Sequence, residues 1–362
     1  MRSSLIEKAI FLLFLLSGAG YLVFPGQHYN AEGWYVWVKY VLAVALLGAS
    51  FLFFISSPRA RLNPYLVLLV SLLYALICLA ILAGASPEVA FLYAFPALFA
   101  IIFKNFQQCI GKIGLIFVVS VALLGVLYEY FYLGGFDRFQ PNGYRGVSIL
   151  INPNNLGIFS VLLAYIAYQK SWAPRKITLL IAFVFVLYSG SKTAAILWAV
   201  YFFFTAGMPS RVILFLASTI AIPIIYWLFS ADLFAPKLER YSLDSLFIRL
   251  GDLNSFISSI DNFAFPFQDG EKYYVDNAFV QAWINLGLPV MFLYLIITVA
   301  PILLYSDNRL LFLLLLLAGM TTNIFYIWPV AYIYWIAVSD TINSLSLRKL
   351  SYKLKKYEKH SV

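Results

Sequence analysis

Apolar runs, most of membrane-crossing length and two of them short, recur along almost the whole chain, so a soluble fold would have no polar surface left to show to water. The runs lie at Leu5–Phe24, Trp34–Ile55, Pro64–Ala83, Val89–Phe103, Ile113–Leu133, Val147–Tyr168, Ile177–Tyr188, Thr193–Ala206, Val212–Phe229, Ala278–Leu304, Leu310–Phe325 and Val330–Leu345. Each is set against the ~30 Å of hydrocarbon that a membrane helix must cross. With 63% hydrophobic and 11% charged residues and a mean hydropathy of +0.86, the chain reads as an all-α polytopic membrane protein of about 12 transmembrane helices. It is expected to form a single integral membrane domain over residues 1–362. The first run lacks a small-x-small cleavage site and continues through Tyr21 to Phe24, so it reads as a membrane helix rather than a secretory signal.

Basic residues orient such a chain. If the helices alternate from a cytoplasmic N-terminus, 17 of the 25 Lys and Arg residues fall inside, including the tail residues Arg348, Lys349, Lys353, Lys355, Lys356 and Lys359. That arrangement puts both termini in the cytoplasm. An eleven-helix alternative, with Ile177 to Ala206 as one helix, would place the basic tail outside. The net charge of +9 therefore reads as an orientation signal and not as a nucleic-acid surface. Cys78 and Cys109 offer no disulfide framework or metal-ligand spacing and read as packing residues.

The segments that cannot sit in lipid then open on one outer face. Residues 134–147 form a short outer loop, and 230–277 a long one carrying eight of the sixteen carboxylates. In the long loop Leu243, Leu246, Phe247, Leu250, Leu253, Phe256, Ile257 and Ile260 recur at helical spacing, which predicts an amphipathic helix with Arg249 on its polar side and Arg240 before it. Arg145-Gly146 leads into Asn152-Pro153-Asn154-Asn155-Leu156-Gly157, where Pro153 can open a helix whose free N–H groups favour an anion; the plain alternative is a strong helix start. Ser189-Gly190-Ser191-Lys192-Thr193 looks superficially like a phosphate loop, but Ser191 and Val186 stand where that motif needs glycine. It leaves a lysine near membrane depth, facing an anion or cavity, or else snorkelling to the interface. Asp276-Asn277, where the chain returns to an apolar run, are equally ordinary helix caps.

The order of these pieces resembles the O-antigen polymerase and O-antigen ligase superfamily of bacterial envelope glycosyltransferases. The resemblance covers about Arg145 to Leu304, with a Ser-Arg pair of the family represented by Ser191-Lys192 and a ligase His-Asn by Asp276-Asn277. The only histidines are His28 and His360, so a ligase-type base is missing and the polymerase branch is favoured. The resemblance implies a GT-C-like bacterial inner-membrane enzyme with a periplasmic active site. It would join undecaprenyl-diphosphate-linked oligosaccharide repeat units by inverting, metal-independent transfer, with no cofactor. Arg145, Arg249 and Asp276 are the implied catalytic residues, and Lys192, Arg240, Asn152, Asn154, Asn277 and Tyr274 the implied substrate contacts. Membrane lipid and a chain-length regulator protein are the implied partners. A ligase and a transporter of lipid-linked oligosaccharide are the alternatives.

Overall fold

The computed structural model describes residues 63–132, 148, 150, 153–207, 251, 254–258, 263–265, 275–304 and 307–360, with 8, 9, 11–13, 15, 41, 42, 44, 45 and 48. They are mostly helical, with no strand among the described residues. The runs at Trp34–Ile55 and Val212–Phe229, the loop 134–147 and most of the loop 230–277 lie wholly or largely outside them. In chain order the helices are α1 (Pro64–Leu82), α2 (Pro87–Ala94), α3 (Ala97–Ile102), α4 (Phe106–Cys109), α5 (Gly111–Tyr132), α6 (Pro153–Gln169), α7 (Arg175–Ser189), α8 (Lys192–Thr205), α9 (Ala278–Leu286), α10 (Leu288–Leu303), α11 (Arg309–Gly319) and α12 (Val330–His360).

Local chemistry sets several of these boundaries. Asn63 caps α1 by accepting from Tyr65 N at 3.1 Å, with proline as the first helical residue. Pro153 opens α6, as its sequence position predicts. Gly190, with φ 56°, turns α7 back, and Ser191 caps α8 by accepting from Ala194 N. The Ile177 to Ala206 stretch is thus a helical hairpin, which excludes the single-helix alternative.

Two of the described helical stretches, Pro64–Leu82 and Gly111–Phe131, have the length and apolar composition to cross a membrane. Their surfaces suit that solvent. Leu66, Val70, Leu73 and Ile77 of α1 pack inward, yet the outward Leu68, Leu79 and Leu82 are just as apolar, and so are the exposed Ile113, Ile116, Leu124 and Phe131 of α5. Such faces would aggregate in water and are at home in hydrocarbon.

Polar side chains tie the bundle at one end. Lys170, just past α6, pairs with Asp340 of α12 at 2.7 Å, and the Asn308 amide, just before α11, donates to Asp340 and to Thr341. At that end the Arg175 guanidinium donates to Thr205 O, and Asn343 donates to Lys104 O. The ends of α6 and α8, the starts of α7 and α11 and the middle of α12 therefore lie together. Cys109, nearby in α4, is a packing residue as expected; burial pushes its thiol pKa up, which keeps it protonated.

Three expected spans are interrupted. The Val89–Phe103 run kinks at Phe95-Pro96, where both residues keep right-handed helical angles. Ala278–Leu304 breaks fully at Gly287 (φ 85°, ψ 167°), and the first amide of α10, Leu288 N, donates instead to Ala264 O at 2.8 Å. Helix α11 stops at Gly319, well short of Phe325, and gives way to a non-helical stretch in which Thr322, Asn323, Ile324, Phe325 and Trp328 are buried. Non-helical backbone at such depth is tolerated where protein surrounds it. In the other direction, α12 runs through the basic tail to His360.

Candidate functional site

The end of the bundle opposite the Lys170–Asp340 pair brings together segments far apart in sequence. The first turns of α6 press against the α7–α8 turn so closely that a Cβ on Gly157 would sit 2.5 Å from Ala194 Cβ and 2.7 Å from Ser189 Oγ. Asn155, buried beside it, reaches Trp328 O with its amide at 3.5 Å. The Thr193 hydroxyl donates to Thr321 Oγ1 at 2.9 Å, and the Asn277 amide reaches Met320 O at 3.5 Å. The start of α6, the 189–193 turn, the start of α9 and the stretch after α11 thus form one continuous wall.

The sequence-predicted residues fall on this wall to different extents. Lys192 is the first residue of α8 and exposed, and Asn154 lies half-buried in the first turn of α6. Asp276 is half-buried immediately before Asn277. The Asn277 carbonyl oxygen accepts from Phe279 N at 3.0 Å and Val280 N at 3.1 Å, so that oxygen is committed to capping α9. Ser189 and Ser191 are buried and serve the turn, the Ser189 hydroxyl donating to Val186 O and accepting from Ser191 N. Arg145, Arg240, Arg249, Asn152 and Tyr274 lie outside the described residues.

Part of the long loop docks directly on this wall. Residues 254–258 are helical, and fully buried Phe256 packs between Val275 and Ile284, edge-on to Trp283 at 5.3 Å. The Trp283 indole donates to Phe263 O at 2.6 Å and stacks on the Phe263 ring. The apolar spacing of this segment is therefore used against protein at Phe256, while Ile257 remains exposed.

No protein-family model, curated protein or solved structure matches this chain. Two features at this end lie beyond what the motifs mark. Glu129 of α5 is fully buried, and its Oε2 accepts from Ser148 N at 2.9 Å and from the Tyr188 hydroxyl at 2.6 Å. It is readable in the sequence as the one carboxylate inside Ile113–Leu133, an ionisable group where apolar residues are the rule. The other is Asn323, fully buried, whose amide and carbonyl meet no partner among the described residues. Its polar signal is diluted by Ile324 and Phe325, which extend the apolar run past it.

Proposed function

We propose that this chain is a polytopic membrane glycosyltransferase of the O-antigen polymerase type, joining undecaprenyl-diphosphate-linked oligosaccharide repeat units on the periplasmic face of the bacterial inner membrane. The observation that carries the reading is the meeting of the Asn-Pro-Asn-Asn-Leu-Gly helix start with the Ser189–Thr193 turn at Gly157, on the wall that also holds Asn277. In this reading Arg145 and Arg249, with Lys192 or Arg240, grip the donor diphosphate in bidentate or point-charge contacts and stabilise the charge that grows on it as the glycosidic bond breaks. The non-reducing-end hydroxyl of one repeat unit attacks the anomeric carbon of the growing chain from the opposite face, which inverts it. Asp276 orients that hydroxyl or takes its proton. Asn152, Asn154, Asn277 and Tyr274 contact the sugars.

Several further observations support this reading. The end of the bundle away from the wall collects Lys104, Lys170, Arg175 and Arg309, as a cytoplasmic side should. An apolar groove between α5, α6 and α7, lined by Val118, Ala122, Leu156, Phe159, Ile181 and Phe185, has a volume of about 60 Å³ and offers apolar contact to only a short part of a lipid chain. Among the described residues both fully unwound stretches, at Gly287 and after Gly319, belong to the second half of the chain, whereas a transporter of the inverted-repeat type unwinds helices in both halves.

Deletion in the native host tests the reading. A surface carrying single repeat units is the expected phenotype; lipid core with no repeat unit would indicate a ligase instead. Arg145→Ala and Arg249→Ala are each expected to lower chain growth about 100-fold at normal expression. Long chains from both variants would remove the diphosphate site from this account.

A further inference from the structure

Glu129 is a fully buried carboxylate that the proposed transfer does not use. A carboxylate on a helix long and apolar enough to cross a membrane is costly to keep there, and such residues persist where they serve a site. Two of its partners stand close in sequence to residues of the proposed transfer centre. Ser148 stands three residues after Arg145, and Tyr188 four residues before Lys192. Both donate to the same oxygen, Oε2, at 2.9 and 2.6 Å.

Ser148 is held twice. Its hydroxyl donates to Ala122 O at 2.7 Å, about two turns down α5 from Glu129, while its backbone sits in the left-handed region at φ 47°. A non-glycine residue keeps that conformation only when its surroundings over-determine it. Tyr188 ends the apolar part of α7 directly before Ser189, so its hydroxyl fixes the approach to the turn. Carboxylate side chains lean toward the N-terminus of their helix, which brings Glu129 back over Gly125 and Val126.

We propose that Glu129 is a positioning residue, a latch that holds Ser148 against the end of α7, where Tyr188 precedes the turn that leads to Lys192, and so fixes the position of that turn. This rests on the diphosphate reading above for its functional consequence, but not for its geometry. Because both hydrogen bonds use one oxygen, Glu129→Gln can keep both through its amide carbonyl, while Glu129→Ala removes both.

Two measurements on the full-length protein in lipid nanodiscs separate the latch from the function it serves. Hydrogen exchange at the Ser148 amide, read without ligand, is expected to speed up about tenfold in Glu129→Ala and to stay near wild type in Glu129→Gln. Binding of sugar-free undecaprenyl diphosphate is expected to weaken about tenfold in Glu129→Ala, less in Tyr188→Phe, and no further in the double variant than in Glu129→Ala alone. Glu129→Gln should bind within about threefold of wild type. Unchanged exchange in Glu129→Ala overturns the latch. If wild type fails to bind the carrier while the exchange difference stands, the diphosphate reading falls and the latch is upheld.

Discussion

Gly157→Ala is expected to cost about 100-fold in chain growth and at most about 2 kcal/mol of stability. The added Cβ would lie 2.5 Å from Ala194 Cβ and 2.7 Å from Ser189 Oγ. Neither neighbour is the far end of a flexible side chain, so α6 and the α7–α8 turn must separate by about an ångström, at roughly 1–3 kcal/mol of packing. Against this, alanine in place of a helical glycine recovers up to about 1 kcal/mol of propensity. The gain offsets part of the cost, leaving about 0–2 kcal/mol, but the displacement is not offset in the site, because the moving turn carries Lys192. Ala194→Gly in the Gly157→Ala background removes the shorter of the two contacts and should return part of the activity. Chain-length profiles in the native host and melting curves of purified protein read both quantities; a Gly157→Ala protein with wild-type chains would show that the contact has no part in function.

How far the sequence reaches depends on whether a boundary is made locally. Pro153, the Gly190 turn and the Ser191 and Asn277 caps are legible because the groups that satisfy each helix end lie within a few residues of it. The break at Gly287 is harder to see, since Leu286, Leu288 and Val290 keep the run apolar. Its freed amide is answered by Ala264 O from the long loop, which is a tertiary contact. The same holds after Gly319, where Ile324 and Phe325 read as helix but are used as core, Phe325 stacking on Tyr294 at 4.1 Å.

For the candidate site, the chain order of the polar motifs picks out segments that meet at one end of the bundle, but not their contacts. Gly157 appears in sequence as the end of a motif, and only in the fold as the point where α6 touches α8. Glu129 is visible as a lone carboxylate in an apolar run, but its partners, Ser148 and Tyr188, are set by how α5, α6 and α7 pack. Of the amphipathic stretch around Phe256, residues 254–258 are helical, and Arg249 lies outside the described residues. What this stretch docks on, the Trp283 face of α9, is decided by α9 being short enough to leave that face open.

The severest single substitution should be Gly287→Ala. Here the strain and the steric terms add instead of opposing each other. At φ 85° and ψ 167° the backbone lies in a region that is essentially glycine's alone, and a Cβ would meet Ala264 O at 2.6 Å and the Phe265 ring at 2.7 Å. No helical propensity is recovered, because Gly287 lies between two helices. Strain of about 1–3 kcal/mol and a similar overpacking cost together approach the stability of a marginal domain. The chain can relieve them only by releasing Ala264 from Leu288 N, which undocks residues 263–265 from the break. That release also loosens the Trp283 bond to Phe263 O, and α9, about 13 Å long, then loses the support that aims its Asp276 end. The variant is expected to melt well below wild type, to be cut faster by protease around 263–265, and to make no long chains. A Gly287→Ala protein with wild-type melting and proteolysis would mean that the break is not held by Ala264 and its neighbours.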